Sequence, residues 1–290
     1  MMAGSEEVVA RLVRLLDVEM LDRDLFRGPT THEPWRRVFG GQVVAQALMA
    51  ATRTVAVERS AHSLHAYFIR PGDPRQPIIY QVFRDRDGGR ISARRVVALQ
   101  NGEPILNLAA SFHLSESGVA HQASMPDVPP PEGLEDELQL MARQAGRFTA
   151  HQRALMEVPR PLEFRGVTPG RRLDPSPSEP VQYYWFRTTA PLPQDPALCR
   201  AVVAYASDMM LLSTCLLPHG LSWYLGQVQE ASLDHALWLH ADMRPDEWLL
   251  YAQDSPWAGG ARGVNRGVIF TRDGQLVAST AQEGLIRVRP

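Results

Sequence analysis

The chain has 290 residues, a formal net charge of −2 and 44% hydrophobic residues. That length suits two domains of ordinary size and the apolar fraction suffices for packed cores, while the near-neutral charge points to neither nucleic acid nor an anionic membrane surface. All 30 basic residues are arginine, which excludes a Schiff-base lysine, the lysine of a phosphate-binding P-loop and a Ser-x-x-Lys nucleophile.

No stretch of 18 or more apolar residues is free of charge, so no membrane span is expected. The opening Met-Met-Ala-Gly-Ser-Glu-Glu lacks the basic segment and apolar core of a signal peptide. Cys199 and Cys215 have no metal-ligand spacing and make no disulfide framework. The reading is a soluble, cytoplasmic protein.

The first strong element in chain order is a helix over 40–51, apolar on almost every side. A strand from His62 to Arg70 follows, then a turn through Pro71 and Pro74 and a short strand at Ile78-Ile-Tyr. After Gly88-Gly89, the hairpin dipeptide Asn101-Gly leads into Pro104-Ile-Leu-Asn-Leu-Ala-Ala-Ser-Phe. From about 114 to 161 the chain turns polar and proline-rich, with Pro129-Pro-Pro, Glu132-Gly-Leu-Glu-Asp-Glu and a charged, weakly helical stretch over 134–153. It reads as a linker crossing the surface.

A second helix is expected over 201–217, apolar on nearly every face. Beyond it the landmarks of the first half return at an offset near 170: His65 falls on His235, Ala66 on Ala236, Phe68 on Trp238 and Arg95 on Arg266. Ile78-Ile-Tyr falls on Leu249-Leu-Tyr, Gly88-Gly89 on Gly259-Gly260, and Asn101-Gly on Asp273-Gly. A helix apolar all round buries itself only if a sheet wraps it, so each half is expected to be an α+β unit with a curved antiparallel sheet around one central helix. The units would span 1–117 and 161–290, joined by a linker over 118–160, and pack as an intramolecular pseudo-dimer. A homo-oligomer of the double unit stays open.

With His219 neutral, Asp208 is the only charge between Arg200 and Glu230. A carboxylate in such a run must be hydrogen-bonded, paired or protonated, and perturbed carboxylates in dry pockets are often functional. The plainer alternative is that Asp208, following Ser207, caps a helix that starts late. There is no His-Glu-x-x-His, Cys-x-x-Cys or Gly-x-Ser-x-Gly; Ser222 lacks the second glycine of the elbow, and Gly259, Gly260, Gly263 and Gly267 lack dinucleotide-loop spacing. Neither a metal nor a nucleotide cofactor is expected.

Several motifs, in order, resemble the acyl-CoA thioesterase II family: Val38-Phe-Gly-Gly-Gln-Val-Val-Ala-Gln-Ala-Leu, His62-Ser-Leu-His-Ala-Tyr-Phe-Ile-Arg-Pro-Gly-Asp, Ala204-Tyr-Ala-Ser-Asp, Asp234-His and Val277-Ala-Ser-Thr-Ala-Gln-Glu-Gly. The resemblance implies a double hot-dog fold and hydrolysis of medium- to long-chain fatty acyl-CoA without a cofactor. It also implies that an aspartate, a hydroxyl residue and a glutamine hold the attacking water, at Asp208, Ser232 and Gln282. Better-known members carry threonine where this chain has Ser232.

The chemistry is sensible on its own terms. A water becomes nucleophilic when a carboxylate accepts its proton and neutral groups fix its direction. Backbone N–H groups around Gly40, Gly41 and Gln42 could meet a developing oxyanion. Each residue also has an ordinary reading: Ser232 as a solvated strand residue, and Gln282 on one polar strand face with Ala278 and Thr280. His62 and His65 are candidate bases, since histidine as a residue type can exchange a proton near neutral pH, but the match of His65 to His235 suggests a structural role. Asp234 is a rival carboxylate, and Arg94, Arg95 and Arg262 could meet the phosphates of coenzyme A. Rival functions are an enoyl-thioester hydratase or dehydratase, which pairs an aspartate with a histidine a few residues on, and a non-catalytic acyl-CoA-binding protein. Here the fifth residue after Asp208 is Ser213.

Overall fold

The computed structural model describes residues 4–30 and 37–289, so the first three residues of the opening segment lie outside it. The first half comprises α1 (Ser5–Leu16), β1 (Glu19–Asp22), β2 (Leu25–Gly28), α2 (Gly40–Thr52), β3 (Arg59–Phe68), β4 (Ile78–Asp87), β5 (Ile91–Gln100) and β6 (Glu103–Leu114). Two short helices follow, α3 (Glu137–Arg143) and α4 (Ala150–Met156). The second half comprises β7 (Leu162–Gly166), β8 (Val181–Thr188), α5 (Pro196–Ser207), a 3-10 segment at Leu212–His219, β9 (Val228–Ser232), β10 (Asp234–Leu239), β11 (Leu249–Gly259), β12 (Arg262–Thr271) and β13 (Leu276–Val288).

The strands form one continuous sheet in the order β1-β2-β4-β5-β6-β3-β10-β13-β12-β11-β8-β7. Read outward from the middle, both halves have the same sequence of strands, and β3 and β10 join them antiparallel. The register at that seam pairs His65 with Ala236 and Ala66 with His235. These are the residues that the internal repeat equates, so the seam is a pseudo-two-fold between the copies. This is the double hot-dog arrangement.

Helix α2 shows why the sheet must curve. Every residue from Gly41 to Ala51 is buried, so no face is left for solvent. Gln46 is tolerated in its middle because its amide donates to the Leu15 carbonyl at 2.6 Å and accepts from the Tyr80 hydroxyl at 2.7 Å. Helix α1 is amphipathic, with Val8, Val9, Leu12, Leu15 and Leu16 buried at the spacing of one helical face.

Two expectations need correction. The second helix is not one element over 201–217. It starts at Pro196, where Asp195 accepts from the backbone N–H groups of Ala197 and Leu198, and it stops at Ser207. Met210 then turns left-handed at φ 66°, and its carbonyl is taken by Gln182 Nε2 at 3.0 Å and Ser213 Oγ at 2.8 Å. Polar side chains thus satisfy the carbonyl at the break, and the chain resumes as 3-10 turns. By length and composition the stretch Pro196–His219 is apolar enough to cross a membrane, yet it is broken at this point and largely enclosed by the sheet.

The polar stretch between the halves is also more than a surface crossing. Trp185 donates to the Pro129 carbonyl at 2.8 Å, and Arg165 donates to the carbonyls of Pro131 and Leu134. Met141 and Phe148 are buried with Leu173, so the segment is strapped onto the second half.

Strand β9 breaks the repeat. It pairs with β13, placing Ser232 opposite Gly284, and it carries Glu230. One carboxyl oxygen of Glu230 is buried with no hydrogen-bond partner among the described residues. Burial pushes its pKa up from 4.5 to about 7, against the opposing pull of Arg172. A raised folded-state pKa favours the folded state below the unfolded value and loses that contribution as pH rises through the folded value. Urea denaturation from pH 4.5 to above 7 is therefore expected to show a decline in stability from this group that Glu230→Gln lacks. Equal slopes for the two proteins would refute the assignment.

Candidate active site

The three residues expected to act together come from three separate elements. Asp208 is the C-cap of α5, Ser232 ends β9 and Gln282 lies on β13. Gln282 Nε2 donates to Asp208 Oδ1 at 2.5 Å, and Ser232 Oγ donates to the same oxygen at 3.4 Å. A carboxylate only accepts, so the glutamine must present its NH₂ to it. That orientation leaves Gln282 Oε1 buried and without a partner among the described residues, an acceptor with its lone pairs unused. Gln282 and Thr280 are both buried, so their shared strand face is an inner one and not a solvated surface.

The other carboxylate oxygen faces the first half of the chain. A Cβ placed on Gly40 would lie 2.7 Å from Asp208 Oδ2 and 3.0 Å from the Phe68 ring, and one on Gly41 would lie 2.4 Å from the Tyr205 carbonyl oxygen. Only glycine lets the first turn of α2 approach the end of α5 so closely. The N–H of Gln42 is already bonded to the Phe39 carbonyl at 3.1 Å. This narrows the expected oxyanion donors to the N–H groups of Gly40 and Gly41. Helix α2 has neither a capping side chain nor an acidic residue in its first turn, so its positive end is not neutralised locally.

A residue the sequence did not single out lies beneath the aspartate. His235 is buried, with Nε2 2.8 Å from Ser207 Oγ and 3.4 Å from Thr280 Oγ1. Both hydroxyls donate elsewhere, to the carbonyls of Ala204 and Ala236, so each offers His235 only a lone pair. Nε2 therefore carries the proton. Burial lowers the histidine pKa and outweighs the opposing pull of Asp208 and Asp234, so the ring is neutral.

Comparison with known proteins places this geometry. Residues 149–285 match the model of the acyl-CoA thioesterase family, and residues 31–113 match that of the acyl-CoA thioesterase N-terminal domain. Human acyl-coenzyme A thioesterase 8 is 42% identical, over 95% of this chain and 88% of its own. Acyl-CoA thioesterase 2 of Haemophilus influenzae is 38% identical, over 97% of this chain and 98% of its own. The crystal structure of an acyl-CoA thioesterase II from Mycobacterium marinum superposes with a TM-score of 0.78 at 40% identity, covering 95% of this chain and 98% of that one.

The chain belongs to the acyl-CoA thioesterase II family.

The remaining candidates are scattered through this thioesterase. His62 hydrogen-bonds Ser111 Oγ at 2.8 Å, on the sheet face opposite the buried Ala110 and Phe112, and His65 packs edge-on to Trp238 with ring centroids 5.1 Å apart. Both histidines therefore lie on the outer face of the sheet, away from Asp208. Burial and the neighbouring His113 lower the pKa of His62. Asp234 accepts from the Glu283 N–H of β13 at 2.7 Å, so this rival carboxylate is engaged by a neighbouring strand.

Arg94 is not available to coenzyme A. It is 1% exposed and donates to the Thr54 hydroxyl, to the backbone carbonyls of Thr54 and Arg86, and to Asp87. Arg95 stacks on Phe83 and Arg262 pairs with Glu283. Among the described residues, no group of three or more His, Cys, Asp or Glu is placed to hold a metal ion.

The Gly40 contact gives a direct test of the geometry. The atom nearest to the added methyl is the end of the Asp208 side chain and no backbone atom is among its three closest neighbours, so Gly40→Ala is expected to keep the fold. Its methyl group would push into the Asp208 carboxylate, and turnover is expected to fall by about 10-fold or more. Unchanged turnover in a folded Gly40→Ala sample would show that Asp208 does not need this approach.

Proposed function

We propose that Asp208 is the general base of acyl-CoA hydrolysis in this thioesterase, with Ser232 and Gln282 orienting both the base and the attacking water. The observation that carries this reading is the meeting of two neutral polar groups on one carboxylate oxygen, beside the unpartnered Oε1 of Gln282. A water that accepts no proton but donates one O–H to Asp208 and the other to Gln282 Oε1 has its oxygen lone pair aimed away from both.

In the proposed step, that lone pair attacks the thioester carbonyl carbon while Asp208 takes the proton. The carbonyl electrons move onto its oxygen, and the N–H groups of Gly40 and Gly41 are the donors in reach of α2's positive end. Collapse of the tetrahedral intermediate breaks the C–S bond. The thiolate of coenzyme A takes the proton from Asp208, leaving the free fatty acid and a carboxylate ready for the next water.

A hydratase would need a second acid or base at the substrate. Ser213, at the expected position, spends its hydroxyl on the Met210 carbonyl. His235 is near enough to feel the Asp208 charge, but it is fully buried and its proton-bearing nitrogen is committed to Ser207. Neither can reach a substrate alkene.

Release of free thiol from an acyl-CoA series of rising chain length tests the proposal. Asp208→Asn keeps volume and hydrogen bonding but removes the base, and turnover is expected to fall by roughly 10²-fold or more. The fold should persist, because the replaced carboxylate is only half-buried. Ser232→Ala should cost less than the aspartate change, and Ser232→Thr should be tolerated. Near-normal turnover by folded Asp208→Asn would overturn this assignment.

A further inference from the structure

Asp208 does not hold itself in place. Its two hydrogen bonds are donated by strands, while its own backbone sits where helix α5 has ended and the chain reverses. What fixes that backbone is a set of buried polar groups outside the reacting site.

Ser207, immediately before Asp208, is fully buried and is gripped twice. The Tyr251 hydroxyl donates to its carbonyl at 2.7 Å, and His235 Nε2 donates to its hydroxyl at 2.8 Å. In a continuing helix that carbonyl would accept the N–H of residue 211. The tyrosine supplies the donor instead, so the helix can stop without an orphaned buried carbonyl. On the far side, Gln182 and Ser213 hold the carbonyl of Met210. Asp208 therefore lies between two fixed points, and Met210 occupies the left-handed backbone region that a non-glycine residue adopts only at a cost.

The tyrosine is itself fixed. Tyr251 is fully buried, and a Cβ on Gly267 would lie 2.3 Å from its ring, so the ring fills the space that a side chain on β12 would occupy. Its counterpart in the repeat, Tyr80, also donates its hydroxyl into the central helix of its own half, but to the side chain of Gln46, and that helix runs on to Thr52. The same strand position thus holds a helix interior in one half and a helix end in the other.

We propose that Tyr251 and His235 are positioning residues of the hydrolytic site, which act through Ser207 to hold the Asp208 carboxylate against Gln282 and the α2 terminus. The proposal rests on Asp208 being the base. Neither residue touches substrate. Their removal is expected to misplace the carboxylate and so to lower kcat while leaving KM nearly unchanged.

The test is a double-mutant cycle on kcat in the full chain. Tyr251→Phe removes one oxygen and keeps the ring. It is expected to lower kcat about 10-fold with KM within about two-fold, and to add less than two-fold when placed on Asp208→Asn, because the group it positions is already lost. His235→Leu should behave like Tyr251→Phe, and His235→Gln, which can still donate near the Nε2 position, should recover part of the loss. If His235→Leu does not fold, the tyrosine cycle decides alone.

A kcat within two-fold of the parent for Tyr251→Phe overturns the proposal. So does an equal loss in both backgrounds, which would mean that Tyr251 acts independently of Asp208. Full turnover by Asp208→Asn would instead sink the assignment of the base, and the clamp with it. Because that single variant is measured in the same cycle, the two failures are told apart.

Discussion

At Gly40 and Gly41 the first turn of α2 lies against the last turn of α5 and the Asp208 that follows it, with no side chain of its own in the way. That contact is the constraint on which the site depends. A methyl group at Gly40 would displace the Asp208 carboxylate, and one at Gly41 would meet the Tyr205 carbonyl and push the two helices apart. With glycine in both places, the N-terminus of a helix from the first half becomes one wall of a site whose polar side chains all come from the second. The halves are thus complementary in chemistry although they repeat one scaffold.

The duplication explains the architecture and its asymmetry together. Both copies keep the strand order and the buried tyrosine at Tyr80 and Tyr251. Differences accumulate where the helices end. The first half keeps α2 helical throughout and satisfies the buried Gln46 amide with the Leu15 carbonyl and the Tyr80 hydroxyl. The second stops α5 early, adds β9 with no counterpart, and places Asp208, Ser232 and Gln282 around the resulting break. A hydrolytic centre needs polar groups in a dry place, and a helix end inside a wrapped sheet supplies one where backbone N–H and C=O groups already require partners.

Much of this was legible in the sequence, for reasons that differ by residue. The repeat was visible because glycines, turn dipeptides and apolar alternation recur in order, and the paired register at the seam follows from them. Asp208 stood out because a single charge in a long apolar run needs an explanation. The bounds of the helix around it are harder to see, because the apolar run from 201 to 217 begins past the start signal Asp195-Pro196 and runs on into the stretch of Ser213, Thr214 and Pro218 that competes with helical bonding. Nothing local announces that Met210 turns left-handed. Helix α1 is legible too, since Val8, Val9, Leu12, Leu15 and Leu16 recur at the spacing of one helical face. Gln282 could be picked out only through family resemblance, because alternation cannot tell a solvated polar face from one packed on a helix end. His235 and Tyr251 were less visible still: a buried histidine and tyrosine in strands look like ordinary core residues until their partners are known.

The electrostatics of the site follow from two helix ends meeting at one carboxylate. Asp208 sits at the negative end of α5, which by itself disfavours a charge there, and Oδ2 faces the positive end of α2, which favours it. The donors from Gln282 and Ser232 add to the favourable side. During hydrolysis the negative charge moves. In the proposed step, as Asp208 accepts a proton its demand on the α2 terminus would lapse, and the charge that appears on the thioester oxygen would take over the same field. The dipole need not reorient for this, since α2 is buried along its length and fixed by packing. On the proposed mechanism base and oxyanion share one rigid positive end in turn, so moving α2 away by the width of a methyl group would weaken the field at both atoms at once.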